Sequence, residues 1–330
     1  MTNRSRHAAL VGLALFAVSG QGWAFCRATT CDPSKKDCAR DSAQCLTVGT
    51  PLYWASSCVQ VYVQAAGSPL RGISFDATQE SVSRAFAAWL STDCGKGQAP
   101  LLDVQVLGPI TCATSEYNKT KKNANIVMFR DSEWPYPGSE DALAFTHLQF
   151  NADTGELWDA DLEINSAEYE FSTGEPVTQN DLDSMLTHEA GHLLGLAHTQ
   201  VKDATMYASY VKGTDSLRTL AADDEKGICA VYAPNRVPSR TSCSPRHGFS
   251  DVCGAEQAEN SGTNEGTDQE ASPSGTDGIS KKGCALAAAP TRSGWLPPLL
   301  SGLTALAVCL RRRRAGRHQF VSCGRAQRQR

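Results

Sequence analysis

The sequence predicts an α+β fold built on a mixed β-sheet, and three observations carry that prediction. Strand-like segments stand on both sides of one amphipathic helix instead of alternating with helices in the regular order of a doubly wound sheet. One of them, Ile126-Val127-Met128-Phe129, is apolar without interruption, as a central strand requires. A second helical pattern, with Leu182, Met185, Leu186 and Leu193 on its packing face, follows the strands and carries several of the chain's seven histidines.

In order along the chain, residues 25–48 form a cysteine-rich segment, which reads as a disulfide staple with little regular structure. It is too short for a large inhibitory prodomain. A first strand pair is expected at 51–54 and 58–64, where Val59, Val61 and Val63 alternate with polar or aromatic residues. Residues 76–90 read as a helix, with Asp76 or Thr78 as N-cap and a stripe of Val82, Ala85, Phe86 and Trp89. Strands are expected at 101–107 and 124–129, a weaker extended run at 142–150, and an alternating strand at 155–165. Thr178, with Asp181 three residues on, is the expected start of the second helix.

The two ends differ from this body, which is expected to span 49–235 with a cysteine-containing extension at 236–253. Residues 1–24 carry Arg4, Arg6 and His7, an apolar run over 8–18, and small residues in Gly22-Trp23-Ala24, the pattern of a secretory signal. Residues 254–282 contain almost no large apolar side chain and read as a flexible linker. From 283 to 330 follow Gly283-Cys284, an apolar run over 295–310 broken by Pro297-Pro298, and four consecutive arginines at 311–314. That run is marginal for a permanent span, which takes about 20 residues. A processed anchor fits it, with an ordinary single-pass anchor as the alternative.

Of the thirteen cysteines none forms a CxxC pair, which points to an oxidising, extracellular compartment. Ten precede the tail, an even number that permits five disulfides and leaves their connectivity open. The net charge of −4 is misleading, because residues 1–24 and 285–330 hold eleven of the 31 Lys and Arg and none of the 35 Asp and Glu. The remainder is near −15, which excludes a phosphate-backbone partner such as nucleic acid.

The chemistry is concentrated in His188-Glu189-Ala190-Gly191-His192-Leu193-Leu194-Gly195-Leu196-Ala197-His198. Histidines four apart on a helix project from one face, one turn above the other, and can grip one ion. Glu189 sits about 100° around the wheel from His188, within reach of a water beside the metal. Gly195 can take the left-handed conformation that ends the helix and lets His198 return as a third ligand. Three protein ligands with an open position are what a catalytic zinc requires.

These residues resemble the metzincin clan and, within it, the matrixins. Thr199 after His198 is similar to the matrixin serine, and Met206 stands at the matrixin distance from His198. Met206-Tyr207-Ala208-Ser209-Tyr210 resembles the family's Met-Tyr-Pro-x-Tyr with Ala208 in place of proline, and 220–228 resembles its C-terminal helix. The resemblance implies a metzincin-type domain with a twisted mixed sheet, a long active-site helix and a C-terminal helix. It further implies a Met-turn floor at Met206, an S1′ wall at Tyr210, and a structural role for Asp223 and Asp224. An extended substrate would pair antiparallel to the edge strand near 142–146. The C-terminal run is similar to the sorting signal of myxobacterial surface proteins, departing from it in the extra residues 315–330. That likeness implies processing and lipid attachment at Cys284.

Two upstream groups admit more than one reading. His147 could bind a second zinc, but the accompanying His and Asp pattern is missing, and a solvated or capping role is preferred. Asp153, Asp159, Asp161 and Glu163 could hold calcium through oxygen ligands, with alternating acids on an outward strand face as the preferred reading. The expected protein is a monomeric, secreted or surface-attached zinc endopeptidase acting on proteins or peptides, with Glu189 as general base. A zinc-containing adhesion module without turnover is the alternative. No Pro-Arg-Cys-Gly cysteine switch is present to explain latency.

Overall fold

The computed structural model describes residues 25–32 and 37–254, together with the backbone of 282–288. The expected secretory signal, most of the expected linker and the apolar run with its arginines lie outside the described residues. Among the described residues, no helix is long and apolar enough to cross a membrane.

A two-residue strand β1 (Cys26–Arg27) opens the chain, followed by β2 (Cys58–Gln64) and the helix α1 (Phe75–Leu90). Strands β3 (Asp103–Ile110), β4 (Asn125–Phe129), β5 (Ala142–Phe150) and β6 (Leu157–Ile164) come next, then the short β7 (Phe171–Ser172) and β8 (Asn180–Asp181). Helix α2 (Leu182–Leu193), short strands β9 (Leu196–Ala197) and β10 (Ser209–Tyr210), helix α3 (Ala222–Val231) and strand β11 (Lys282–Ala288) complete the order.

The main sheet runs β10-β11-β5-β6-β4-β2-β3. Strands β3, β2, β4 and β6 are mutually parallel, β5 is antiparallel to β6, and β11 is antiparallel to β5. This is the mixed sheet that the sequence predicts. Every residue of β4 is buried, in keeping with its unbroken apolar run at the centre of the sheet. The expected strand at 51–54 does not form. Pro51 and Tyr53 make only isolated bridges, to Thr29 and Glu156, because neighbouring backbone from distant segments satisfies these residues singly.

Helix α1 buries the expected stripe of Val82, Ala85, Phe86 and Trp89. Its cap is Ser74 and not Asp76 or Thr78: the Ser74 side chain accepts from the Ala77 amide. Trp89 is wholly buried and its indole donates to the Thr187 carbonyl at 2.8 Å, fixing α1 against α2. Truncating such a side chain to alanine costs about 3–5 kcal/mol. At the other end of α2, the Trp54 indole donates to the Leu193 carbonyl at 2.9 Å and the Tyr232 hydroxyl to the Leu194 carbonyl at 3.0 Å.

All ten cysteines ahead of the tail are paired. Cys26–Cys45 and Cys31–Cys38 staple the start, while Cys58–Cys243, Cys94–Cys229 and Cys112–Cys253 tie the sheet and α3 to distant segments. The three long-range bridges close loops of 135 to 185 residues, which restricts the unfolded chain most strongly.

Candidate metal centre

Helix α2 starts at Asp181, whose carboxylate accepts from the Ser184 amide at 2.9 Å, and not at Thr178. Thr178 lies outside the helix, its amide donating to Ser172. Asp181 also receives Arg218 through two bonds of 2.7 Å. This bidentate pair fixes the helix start to the segment that follows β10. The helix stops at Leu193, and Gly195 follows with φ of +88°; a Cβ there would stand 2.6 Å from the Leu52 carbonyl oxygen. Only glycine fits that turn.

The turn returns His198 to the two helix histidines. His198 Nε2 lies 3.0 Å from His188 Nε2 and 3.1 Å from His192 Nε2. The opposite nitrogens face acceptors: His188 Nδ1 is 2.6 Å from the Thr205 carbonyl and His192 Nδ1 is 3.0 Å from the Leu196 carbonyl. A carbonyl oxygen only accepts, so both Nδ1 atoms carry the proton and both Nε2 atoms present bare lone pairs to one point. Such lone pairs repel unless a cation lies between them. With Zn–N near 2.1 Å, tetrahedral nitrogens stand about 3.4 Å apart, close to the spacing found. Burial, reinforced by the neighbouring histidines, pushes His188 and His192 well below the ordinary imidazole range, which keeps them neutral and able to coordinate. This donor set therefore fits zinc.

Around the histidines lies a second layer of bonds. Asp224 takes the Thr205 amide at 2.7 Å and the Ala221 amide at 2.9 Å on one oxygen, and the Met206 amide at 3.0 Å on the other. The Thr205 carbonyl that holds His188 is thus set by Asp224. Met206 is buried and packs against the helix at Gly191, where any Cβ would overlap its sulfur. Tyr210 contributes backbone to β10, while its buried ring sends the hydroxyl to the Thr214 carbonyl and receives the Asp181 amide at 2.9 Å.

Glu189 is fully buried beside the histidines, and Thr146 of β5 donates its hydroxyl to Glu189 Oε2 at 2.6 Å. Thr146 is a site residue that the sequence does not disclose, since it lies 43 positions away within an ordinary strand. Arg218 and Thr205 are likewise silent there. Cys284 is placed in the backbone of β11, opposite Thr146.

Residues 68–233, just over half of the chain, match the matrixin peptidase family. The chain belongs to the matrixins. This matrixin is 34% identical to metalloendoproteinase 1-MMP of Arabidopsis thaliana over 28% of its own length and 23% of that protein's. It is 29% identical to metalloendoproteinase 1 of Glycine max over 48% of its own length and 47% of that protein's. To the interstitial collagenase of Oryctolagus cuniculus it is 42% identical, over 18% of its own length and 12% of the collagenase. It thus spans less than half the length of each of these relatives.

Two expectations for the matrixin's upstream acids and histidine do not hold. Asp159, Asp161 and Glu163 do not line an outward strand face; all three are buried, and the Glu116 backbone and the Arg130 side chain pack onto Asp161 and Glu163. Asp161 accepts the Ile126 and Glu116 amides, Glu163 takes Arg130 at 2.7 Å, and Asp159 Oδ1 has no hydrogen-bond partner among the described residues. Asp153 alone is exposed. His147 is buried rather than solvated, with Nε2 2.9 Å from the Tyr136 hydroxyl and 3.7 Å from Glu163.

Proposed function

We propose that this matrixin is a zinc-dependent endopeptidase of the extracellular space, in which His188, His192 and His198 hold the metal and Glu189 is the general base. The observation that carries this reading is the convergence of the three Nε2 atoms beside a carboxylate that itself belongs to no ligand set. Zinc held there would supply Lewis acidity toward the scissile carbonyl and the attacking water. Glu189 accepts the proton from that water and delivers it to the departing amine. Thr146 holds one carboxylate oxygen, so Glu189 keeps its direction through both transfers. Thr205 and Leu196 keep the helix histidines in the tautomer that exposes Nε2.

Five disulfides and the basic, then apolar, first 24 residues support export. The acidic body disfavours nucleic acid as a partner. Surface attachment through residues 283–330 belongs to the same proposal and rests on the sequence alone. Purified protein should cleave casein, lose that activity to a zinc chelator and regain it with added zinc. Cleavage that persists in excess chelator would overturn the assignment.

A further inference from the structure

The edge of the sheet beside the metal centre is occupied by the protein's own chain. Strand β11 lies antiparallel to β5, with Gly283 opposite His147, Cys284 opposite Thr146, Ala285 opposite Phe145 and Leu286 opposite Ala144. Its far end pairs in parallel with β10, Ala287 against Ser209 and Ala288 against Tyr210. The seven residues are therefore clamped between two edges that both belong to the centre: Thr146 of β5 bonds Glu189, and β10 follows Met206. The strand thus takes the backbone edge of β5 at Thr146, the residue whose hydroxyl reaches Glu189.

A strand edge has one set of free amides and carbonyls and accepts one partner at a time. We infer that Lys282–Ala288 is an intramolecular ligand of the peptide groove, which competes with external substrates and holds the enzyme in a partly latent state. The groove between β5 and β10 takes an extended peptide through main-chain pairing, and its resident occupant is this segment. Tethering makes the competition intramolecular, at an effective concentration on the order of millimolar. Only the latency rests on the peptidase reading; the occupancy rests on backbone pairing.

The test compares the full chain with its Ala285→Pro, Leu286→Pro double variant. Amides of successive strand residues point to opposite edges, so adjacent prolines remove one amide that faces β5 whichever way the pleat falls. Hydrogen exchange at alternate amides of 142–148 should accelerate at least about tenfold in the variant, while amides of α2 and β4 stay protected. Casein cleavage should rise about tenfold in kcat/KM, chiefly through KM. A synthetic peptide of residues 282–288 should inhibit the variant competitively, and the full chain about tenfold more weakly. Unchanged exchange at β5 overturns the occupancy. Faster exchange with an unchanged rate overturns the latency. If neither protein cleaves casein, the peptidase reading fails, and exchange still decides the occupancy.

Discussion

The hydroxyl of Thr146 donates to Glu189 Oε2 at 2.6 Å, joining the strand at the edge of the groove to the helix that carries the metal histidines. Both residues are buried, so water does not replace this bond. Thr146→Val keeps the shape and removes the donor. A hydrogen bond to a charged group contributes about 1.5–3 kcal/mol, so casein kcat/KM should fall roughly ten- to a hundredfold. Zinc content, measured by metal analysis, should not change. Loss of zinc along with activity would show that Thr146 supports the fold instead of the base.

Asp224 gathers three amides, among them those of Thr205 and Met206. Asp224→Asn turns one acceptor into a donor facing an amide, which should destabilise the protein by about 1–3 kcal/mol in urea unfolding. Since the Thr205 carbonyl orients His188, zinc affinity should weaken about ten- to a hundredfold in chelator competition. Unchanged affinity in a destabilised protein would break the relay from Asp224 through Thr205 to His188.

Gly191 separates Glu189 and His192 from the floor of the centre. A Cβ there would overlap Met206 Sδ and stand 2.7 Å from Trp89 Cζ2. Gly191→Ala should lower stability by about 1–3 kcal/mol, and its combination with Met206→Ala should cost less than the sum of the two single effects, because the truncation opens the space that the added Cβ needs. Melting temperatures of the single and double variants check this. A double variant less stable than the sum of the two single effects would contradict the packing account.

Asp161 sets an expectation for pH. Burial pushes its carboxyl up to about 8, against the pull of hydrogen bonds from the Ile126 amide and the Ser115 hydroxyl. In the unfolded chain the same group releases its proton near 3.9. Over the interval between, the folded state holds a proton that the unfolded state has lost. The corresponding stability is complete below about pH 4 and declines as pH rises toward 8. Asp161→Asn does not titrate, so the fall in urea midpoint from pH 5 to pH 8 should be shallower than in the wild type. Equal slopes would contradict the assignment.

The cluster of His188, His192 and His198 was legible because its members are close in sequence and need only a helix and a glycine turn to converge. The central strand β4 was legible because burial on both faces leaves an unbroken apolar run. Features that depend on distant partners were not. Thr146, Arg218 and Thr205 acquire their roles from residues 17 to 43 positions away, and nothing local marks them. Asp159, Asp161 and Glu163 show the alternation of a half-solvated strand, yet all three are buried, Asp161 and Glu163 in contact with groups from 116–130. Arg130 and the amides of Ile126 and Glu116 make that burial tolerable, and their pairing is tertiary. The role of residues 282–288 was masked by composition, since small residues after a polar stretch read as part of an anchor.

The central claim is that three histidines hold zinc while Glu189 performs the proton transfers. Metal analysis and casein cleavage on the wild type and on Glu189→Gln test it together. Both proteins should hold one zinc per chain, and the variant's kcat should be on the order of 10³-fold lower. A wild type that holds its zinc yet cleaves nothing in a broad peptide library, or a Glu189→Gln variant that turns over at the wild-type rate, would contradict the account.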